Sequence, residues 1–142
     1  MRVSSRLDYA LSCLLRVAEG YPKRVVSIKE ISLKEKIAPD YIEQLLLIMK
    51  RAGILKSVRG RSGGYVLNAL PKDITTKSVV EAIEGEVLGL VCYRKKGRKK
   101  KCIHLNDCKV RDFWLDMRKN MESFLDGYTL KDILSLRKSD GT

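Results

Sequence analysis

Aromatic residues and long apolar runs are scarce in this sequence of 142 residues. Aromatic side chains make up 6% of the chain, which argues against a large aromatic-lined cofactor pocket. No run of eighteen apolar residues occurs, and polar residues interrupt the amino end where a signal peptide would have its apolar core. We therefore expect a cytoplasmic protein with no membrane partner.

The sequence has one histidine and no Cys-x-x-Cys pair. A thiol redox enzyme usually depends on a paired thiol or on an acid–base group beside the reactive sulfur. Because the chain has no such pair and only one histidine for acid–base chemistry, we expect that it is not an enzyme and has no catalytic residues.

Acidic residues are outnumbered by basic ones, with 17 Asp and Glu against 29 Lys and Arg, so the formal charge is +12. This charge favours polyanionic partners, above all double-stranded DNA, through counterion release. Seven positive charges lie in the eight residues from Arg94 to Lys101, and without that run the formal charge is +5. The run is compatible with a phosphate contact, with stabilisation of an anionic group, or with a solvated loop.

Hydrophobic periodicity predicts three helices near the amino end. A stripe of apolar residues from Leu7 to Ala18 has the helical period. Ser27 and Glu30 have the capping-box spacing and start a short second helix. Pro39 suits the first position of a third helix. About three residues separate the second helix from the third, which predicts a helix-turn-helix.

Two short apolar segments, 54–58 and 65–67, follow and are joined by a glycine-rich basic turn. This pattern predicts a hairpin, or wing. A short helix is predicted to begin after Pro71 and to end at Gly85. Apolar residues at helical spacing from Val110 to Leu125 predict a long amphipathic helix that packs on the first helix, on a second copy of the chain, or on both. Thr129 is predicted to cap a short final helix, with Asp132 at the capping-box position. The predicted fold class is mainly α (α+β), a winged helix-turn-helix with a two-stranded wing.

The second helix of a helix-turn-helix enters the major groove, where its outward side chains contact base edges. Glu43 and Gln44 are the predicted base contacts, because glutamine pairs with adenine and glutamate accepts from the cytosine amino group. Arg59 and Arg61 flank glycines at the tip of the wing and can reach phosphate or the minor groove. The helix residues are also compatible with an ordinary solvated helix face. The candidate DNA-binding residues are Arg2, Ser4, Ser5, Lys29, Asp40, Tyr41, Glu43, Gln44, Lys50, Arg59 and Arg61.

Three of the four cysteines, Cys92, Cys102 and Cys108, lie within seventeen positions, with nine and five intervening residues. Thiolate sulfur is the ligand type that iron–sulfur clusters and zinc select. Three cysteines leave one ligand position unassigned. Cys13 lies beside Leu14 on the first predicted helix and is expected to fill core space.

Three segments carry a resemblance to a known family: MRVSSRLDYALSCLLRVA, VSIKEISLKEKIAPDYIEQLLLIMKRAGILKSVRGRSGGYVL and ITTKSVVEAIEGE. The chain resembles the Rrf2 family of bacterial winged-helix regulators from Met1 to about Leu136. The resemblance implies a homodimeric transcription factor that binds a palindromic operator. In such a dimer the long carboxy-terminal helix of each subunit crosses to its partner.

Some members of this family hold an iron–sulfur cluster in the loop just before the long helix, and others lack the cluster cysteines. The cysteines of this chain match that loop, although the first gap is four residues longer than the usual five. The position of a histidine ligand in one group of members is Arg111 here. Asp8 matches an aspartate that another group contributes from the partner subunit, and His104 is the alternative fourth ligand. Asp8 also suits the first turn of a helix with Ser5 as N-cap, where the helix dipole stabilises a carboxylate.

The expected function is that of a cytoplasmic DNA-binding regulator that senses redox, nitric oxide or iron–sulfur status. Its cofactor would be an iron–sulfur cluster, with two irons favoured over four. The alternative is a cluster-free regulator controlled by thiol oxidation, zinc or a protein partner. The expected domains are a DNA-binding domain (1–70), a connecting helix and loop (71–91), a cysteine loop (92–108), a dimerisation helix with a short terminal helix (109–137) and a tail (138–142).

Overall fold

The computed structural model describes residues 1–90, 102–104 and 106–136. Over these residues the chain forms six α-helices, one two-stranded antiparallel sheet and a 3-10 turn at Pro71–Asp73. The mainly helical fold class with a two-stranded wing is confirmed. The elements are α1 (Ser5–Gly20), α2 (Ile28–Glu35), α3 (Pro39–Arg51), β1 (Leu55–Val58), β2 (Gly64–Leu67), α4 (Thr76–Glu84), α5 (Arg111–Gly127) and α6 (Leu130–Ser135).

Side-chain caps explain where the first two helices begin. Ser4, and not the predicted Ser5, is the N-cap of α1, because its hydroxyl accepts from the backbone N–H three residues on at 3.1 Å while Ser5 is already helical. Ser27 caps α2 by accepting from the N–H of Glu30 at 3.1 Å. The reciprocal half of the predicted capping box does not form, because the Arg24 guanidinium holds both carboxylate oxygens of Glu30 at 2.7 Å.

The helix-turn-helix is confirmed. Three residues, 36–38, separate α2 from α3, and Lys36 takes the left-handed conformation at φ 56° that ends α2. Pro39 occupies the first position of α3, as predicted, because its missing N–H costs nothing there. The buried face of α3 consists of Ile42, Leu45, Leu46 and Met49.

The wing pairs β1 with β2, from Leu55 opposite Leu67 to Val58 opposite Gly64. Val26 adds a short third pairing, because its N–H donates to the Tyr65 carbonyl at 3.0 Å and the Tyr65 N–H donates back at 2.8 Å. This bridge ties the base of the wing to the residue that immediately precedes the cap of α2.

The segment after the wing differs from the prediction. The single helix expected after Pro71 is a 3-10 turn followed by the separate helix α4, because Ile74 and Thr75 are extended between them. Thr75 caps α4 by accepting from the N–H of Ser78 at 3.2 Å. Thr129 and Asp132 form a complete capping box at the start of α6, as predicted.

One hydrophobic core joins α1, α3, α4 and the wing. Cys13 is fully buried in this core, which confirms the expectation that it fills core space. In contrast, no residue of α5 is buried, and its main contact is with α4 rather than with α1. Within the part of the chain that is described, no helix is long and apolar enough to cross a membrane.

Candidate DNA-binding surface and cysteine loop

The outward face of α3 carries the predicted base contacts. Asp40, Glu43 and Gln44 are exposed, opposite the face that is buried against the core. Tyr41 differs from them, because it is half-buried and its ring packs edge-to-face on Tyr9 of α1 with centroids 6.1 Å apart. Tyr41 therefore holds α3 against α1 as well as bordering the outward face.

The wing tip is a tight glycine turn with an exposed arginine on each side of its first glycine. Gly60 has a φ of 113°, a backbone conformation that side chains with a Cβ rarely adopt. The Gly63 N–H donates to the Gly60 carbonyl at 3.0 Å and closes the turn. Arg59 and Arg61 are exposed, so both guanidinium groups are accessible to a phosphate backbone.

Helix α3 contacts β1 of the wing, and Glu43 on the outward face of α3 acts electrostatically on Tyr65 of β2. Burial raises the pKa of Tyr65 in β2 above its ordinary value, and the negative charge of Glu43 on α3 raises it further. Glu43 is thus close enough to the wing to act on Tyr65 electrostatically. We call Glu43, Gln44, Arg59 and Arg61 the α3–wing surface.

The amino end of α1 is less open than the sequence indicates. Arg2 and Ser5 are exposed, but the Ser4 hydroxyl is half-buried and engaged twice. It accepts from the Leu7 N–H and donates to a carboxylate oxygen of Glu84, at the end of α4. A hydroxyl has one proton to donate, so Ser4 can donate to a phosphate only after releasing Glu84. Sequence reasoning missed this contact, because nothing local to either residue signals it.

Ion pairs within the protein neutralise part of its acidic charge. Arg16 of α1 donates to Glu35 of α2 at 2.5 Å. Hydrogen bonds from Arg24 and then Lys34 hold the pKa of Glu30 below its ordinary value. The predicted phosphate contacts Lys29 and Lys50 are exposed.

The cysteine loop is described only in part. Cys102 and Cys108 are half-buried free thiols, whereas Cys92 and the basic run Arg94–Lys101 lie outside the described residues. His104 is exposed, and its Nδ1 lies 3.7 Å from a carboxylate oxygen of Asp107.

The described thiols have the right chemistry for a soft metal centre, but the donors among the described residues do not form a complete site. Thiols are the donors that iron–sulfur clusters and zinc select. Across residues 1–90, 102–104 and 106–136, no three His, Cys, Asp or Glu side chains converge on a common metal position. Asp8 is exposed in the first turn of α1, as predicted, and is not grouped with the two described cysteines.

A helix-turn-helix followed by a basic wing defines a winged-helix DNA-binding protein. The family model Rrf2, described as iron-dependent transcriptional regulator, matches residues 3–136. The chain belongs to the Rrf2 family of transcriptional regulators, and regulators of this family bind DNA.

Similar proteins carry two different regulator names. The HTH-type transcriptional regulator IscR of Aliivibrio salmonicida is 32% identical over 94% of this chain and 77% of its own length. The HTH-type transcriptional regulator CymR of Bacillus subtilis is 28% identical over 95% of this chain and 91% of its own length. The solved structure of CymR, the global cysteine regulator of B. subtilis, superposes with a TM-score of 0.78 at 27% identity, covering 97% of this chain and 99% of that one.

Proposed function

We propose that this protein binds a palindromic DNA operator as a homodimer, with α3 in the major groove and the wing on the adjacent backbone or minor groove. The observation that carries the proposal is the α3–wing surface, in which α3 exposes polar side chains, Glu43 among them acts on Tyr65 of β2, and the glycine turn of the same wing exposes two arginines. The exposed α3 side chains supply base contacts, and the arginines supply phosphate or minor-groove contacts. In this proposal residues 1–70 form the DNA-binding domain.

The uncovered apolar face of α5 supports the dimer. Phe113 is 63% exposed and Phe124 is 64% exposed, and together with Met117 and Met121 they line an open groove of about 740 Å³. A contiguous apolar patch of this kind on a single chain marks an interaction surface. The same face on a second copy would cover it through a two-fold axis, which is the commonest symmetry of homo-oligomers.

We further propose that the cysteine loop holds an iron–sulfur cluster, with two irons favoured over four. Cys92, Cys102 and Cys108 would hold it, and Asp8 of a second copy would supply the fourth ligand, with His104 as the alternative. A cluster would give the regulator a group that responds to redox state or nitric oxide. The cysteine loop, which immediately precedes α5, would supply the thiol ligands.

A second candidate keeps DNA binding and replaces the cluster by thiol oxidation, zinc or a protein partner. The similarity to CymR, described as a global cysteine regulator, favours it. The half-buried free thiols Cys102 and Cys108 are partly accessible, as a redox-sensing cysteine must be.

DNA binding is tested with single variants of the α3–wing surface. We expect Gln44→Ala to relax sequence preference at one base position and to cost about 1–3 kcal/mol there. Arg59→Ala should weaken binding to all sequences alike and reduce the salt slope by about one. Lys131→Ala removes an exposed charge on α6, outside the α3–wing surface, and is the matched control. Unchanged binding in both surface variants would reject the proposed interface.

The cofactor is tested by anaerobic purification followed by iron and sulfide analysis and an absorption spectrum. We expect bound iron and sulfide in the wild-type chain, and their loss in Cys102→Ala and Cys108→Ala. Cys13→Ala is the matched control, because Cys13 is a buried core residue. A colourless and iron-free protein after anaerobic reconstitution would reject the cluster and favour the second candidate.

A further inference from the structure

Residues about fifty positions apart meet where α4 begins and α5 ends. The Thr76 hydroxyl donates to the carbonyl of Leu125 in the last turn of α5 at 2.7 Å. The Thr76 N–H donates to the carbonyl of Tyr128 at 2.8 Å, and the Leu130 N–H donates to the carbonyl of Ile74 at 3.0 Å. We call these five residues the α4–α5 junction.

Thr76 is 7% exposed and is the one buried polar residue among those that the structure describes. Its partner carbonyl belongs to the last turn of α5, where carbonyl groups have no N–H donor four residues on within the helix. The Leu125 carbonyl accepts from the Tyr128 N–H at 3.4 Å and, over the shorter distance, from the Thr76 hydroxyl, whose buried donor is thereby satisfied. Val or Ala in place of Thr76 would leave the carbonyl of Leu125 without this donor.

The junction is well placed to control the direction of α5. No residue of α5 is buried, and its main packing contact is with α4. The 17 residues of α5 span about 25 Å, so a tilt of roughly 10° at the junction would move the far end by about 4 Å. That displacement is comparable to the rise of about 3.4 Å per base pair in DNA.

We propose that Thr76 is a positioning residue that sets the direction of α5 relative to α3 and the wing, and through it the half-site spacing that the dimer accepts. This inference rests on the proposed dimeric DNA-binding function. The two recognition helices of such a dimer must lie about one helical turn of DNA apart, or a multiple of it. A fixed direction of α5 restricts the dimer to a narrow range of half-site separations. If the direction of α5 varies, that range becomes broader.

The test uses Thr76→Val, which keeps the backbone N–H bond and the β-branched shape but removes the hydroxyl. Thr76→Ser restores the hydroxyl. Ser78→Ala is the matched control, because the Ser78 hydroxyl donates to the carbonyl of Thr75, at the start of α4 itself, at 2.7 Å. Each purified full-length variant is titrated with a selected palindrome and with versions whose centre is one base pair longer or shorter.

We expect the wild-type chain, Thr76→Ser and Ser78→Ala to prefer one spacing by about tenfold or more, and Thr76→Val to reduce that preference to roughly threefold or less. Thr76→Ala provides the same comparison if the valine variant does not fold. A folded hydroxyl-free dimer that keeps the full spacing preference overturns the proposal, and so does an equal loss of binding at every spacing. Failure of the wild-type chain to bind a palindrome as a dimer would instead reject the proposed function.

Discussion

Gly64 begins β2 at a point where two backbone segments approach closely. A Cβ at this position would lie 2.2 Å from the carbonyl oxygen of Val26 and 2.7 Å from its carbonyl carbon. Both atoms belong to backbone, so they cannot move aside as the end of a flexible side chain can. The glycine therefore permits the bridge between Val26 and Tyr65 that ties the wing to the start of α2.

We expect Gly64→Ala to lower the free energy of unfolding by about 1–3 kcal/mol, because the backbone must shift to admit the methyl group. Denaturant unfolding measures the change. Gly127→Ala is the matched control, since a Cβ there meets nothing within 4 Å. Equal stability of the two alanine variants would contradict this account of Gly64.

Because of Cys13, the free energy of unfolding of the protein should depend on pH in the alkaline range. Burial raises the pKa of the Cys13 thiol from 9.0 to about 11, and the negative charge of Glu35 adds to the effect. Between these pH values the unfolded chain loses the thiol proton while the folded chain keeps it. Deprotonation therefore favours unfolding, and the stability present below pH 9 is lost as the pH rises toward 11.

We expect the free energy of unfolding of the wild-type chain to fall, relative to that of Cys13→Ala, by about 2–3 kcal/mol as the pH rises from 8 to 11. Urea unfolding of both proteins across this range measures it, and the comparison cancels the titration of lysine and tyrosine. A difference that stays constant with pH would contradict the buried-thiol explanation.

At the scale of elements, α5 is the helix whose apolar face is left uncovered by the other residues that the structure describes. Its groove residues Phe113, Met117, Asn120, Met121 and Phe124 recur at three- and four-residue intervals and so share one side of the helix. Because none of them belongs to the buried core, a charge placed there should affect association more than folding.

We expect Phe124→Glu to convert the proposed dimer to a monomer while the helical content and the thermal unfolding midpoint of the chain change little. Sedimentation and circular dichroism measure the two effects. Ser123→Glu introduces the same charge one residue away, at an exposed position that does not line the groove, and should remain dimeric. A dimer that survives Phe124→Glu would place the interface elsewhere.

The elements that the sequence predicted well are those with local causes. The short turn before Pro39 and the capping box at Thr129 are set by residues within three or four positions of each other. Apart from the N-cap of α1, which is Ser4 and not the adjacent Ser5, the errors concern features that depend on partners outside the predicted motif. Arg24 takes the carboxylate of Glu30 from its capping box, and the extended Ile74 and Thr75 are held by pairing with the residues around Thr129.

At the scale of the whole molecule, the α3–wing surface was predictable because exposure on α3 follows from the helical period of its buried side. The contacts that join α1 to α4 and α4 to α5 were not predictable from the sequence. Ser4 and Glu84 are 80 residues apart, and Thr76 and Leu125 are 49 apart. Only the tertiary fold brings such pairs together, so no pattern of neighbouring residues signals them.

The formal charge of +12 makes one prediction for the intact protein. DNA binding by a basic surface releases counterions, so the logarithm of the affinity should fall linearly with the logarithm of the salt concentration. If about six phosphates are contacted, the affinity should fall by about 10³ or more between 50 and 200 mM salt. Replacing both wing arginines, Arg59 and Arg61, by alanine should reduce the slope by about two, because each would neutralise one phosphate in the proposed complex. Fluorescence anisotropy titrations at several salt concentrations measure both slopes. A flat response in the wild-type chain would mean that its positive charge does not face the DNA, whereas a steep slope unchanged in the double variant would assign the phosphate contacts to cations other than those of the wing.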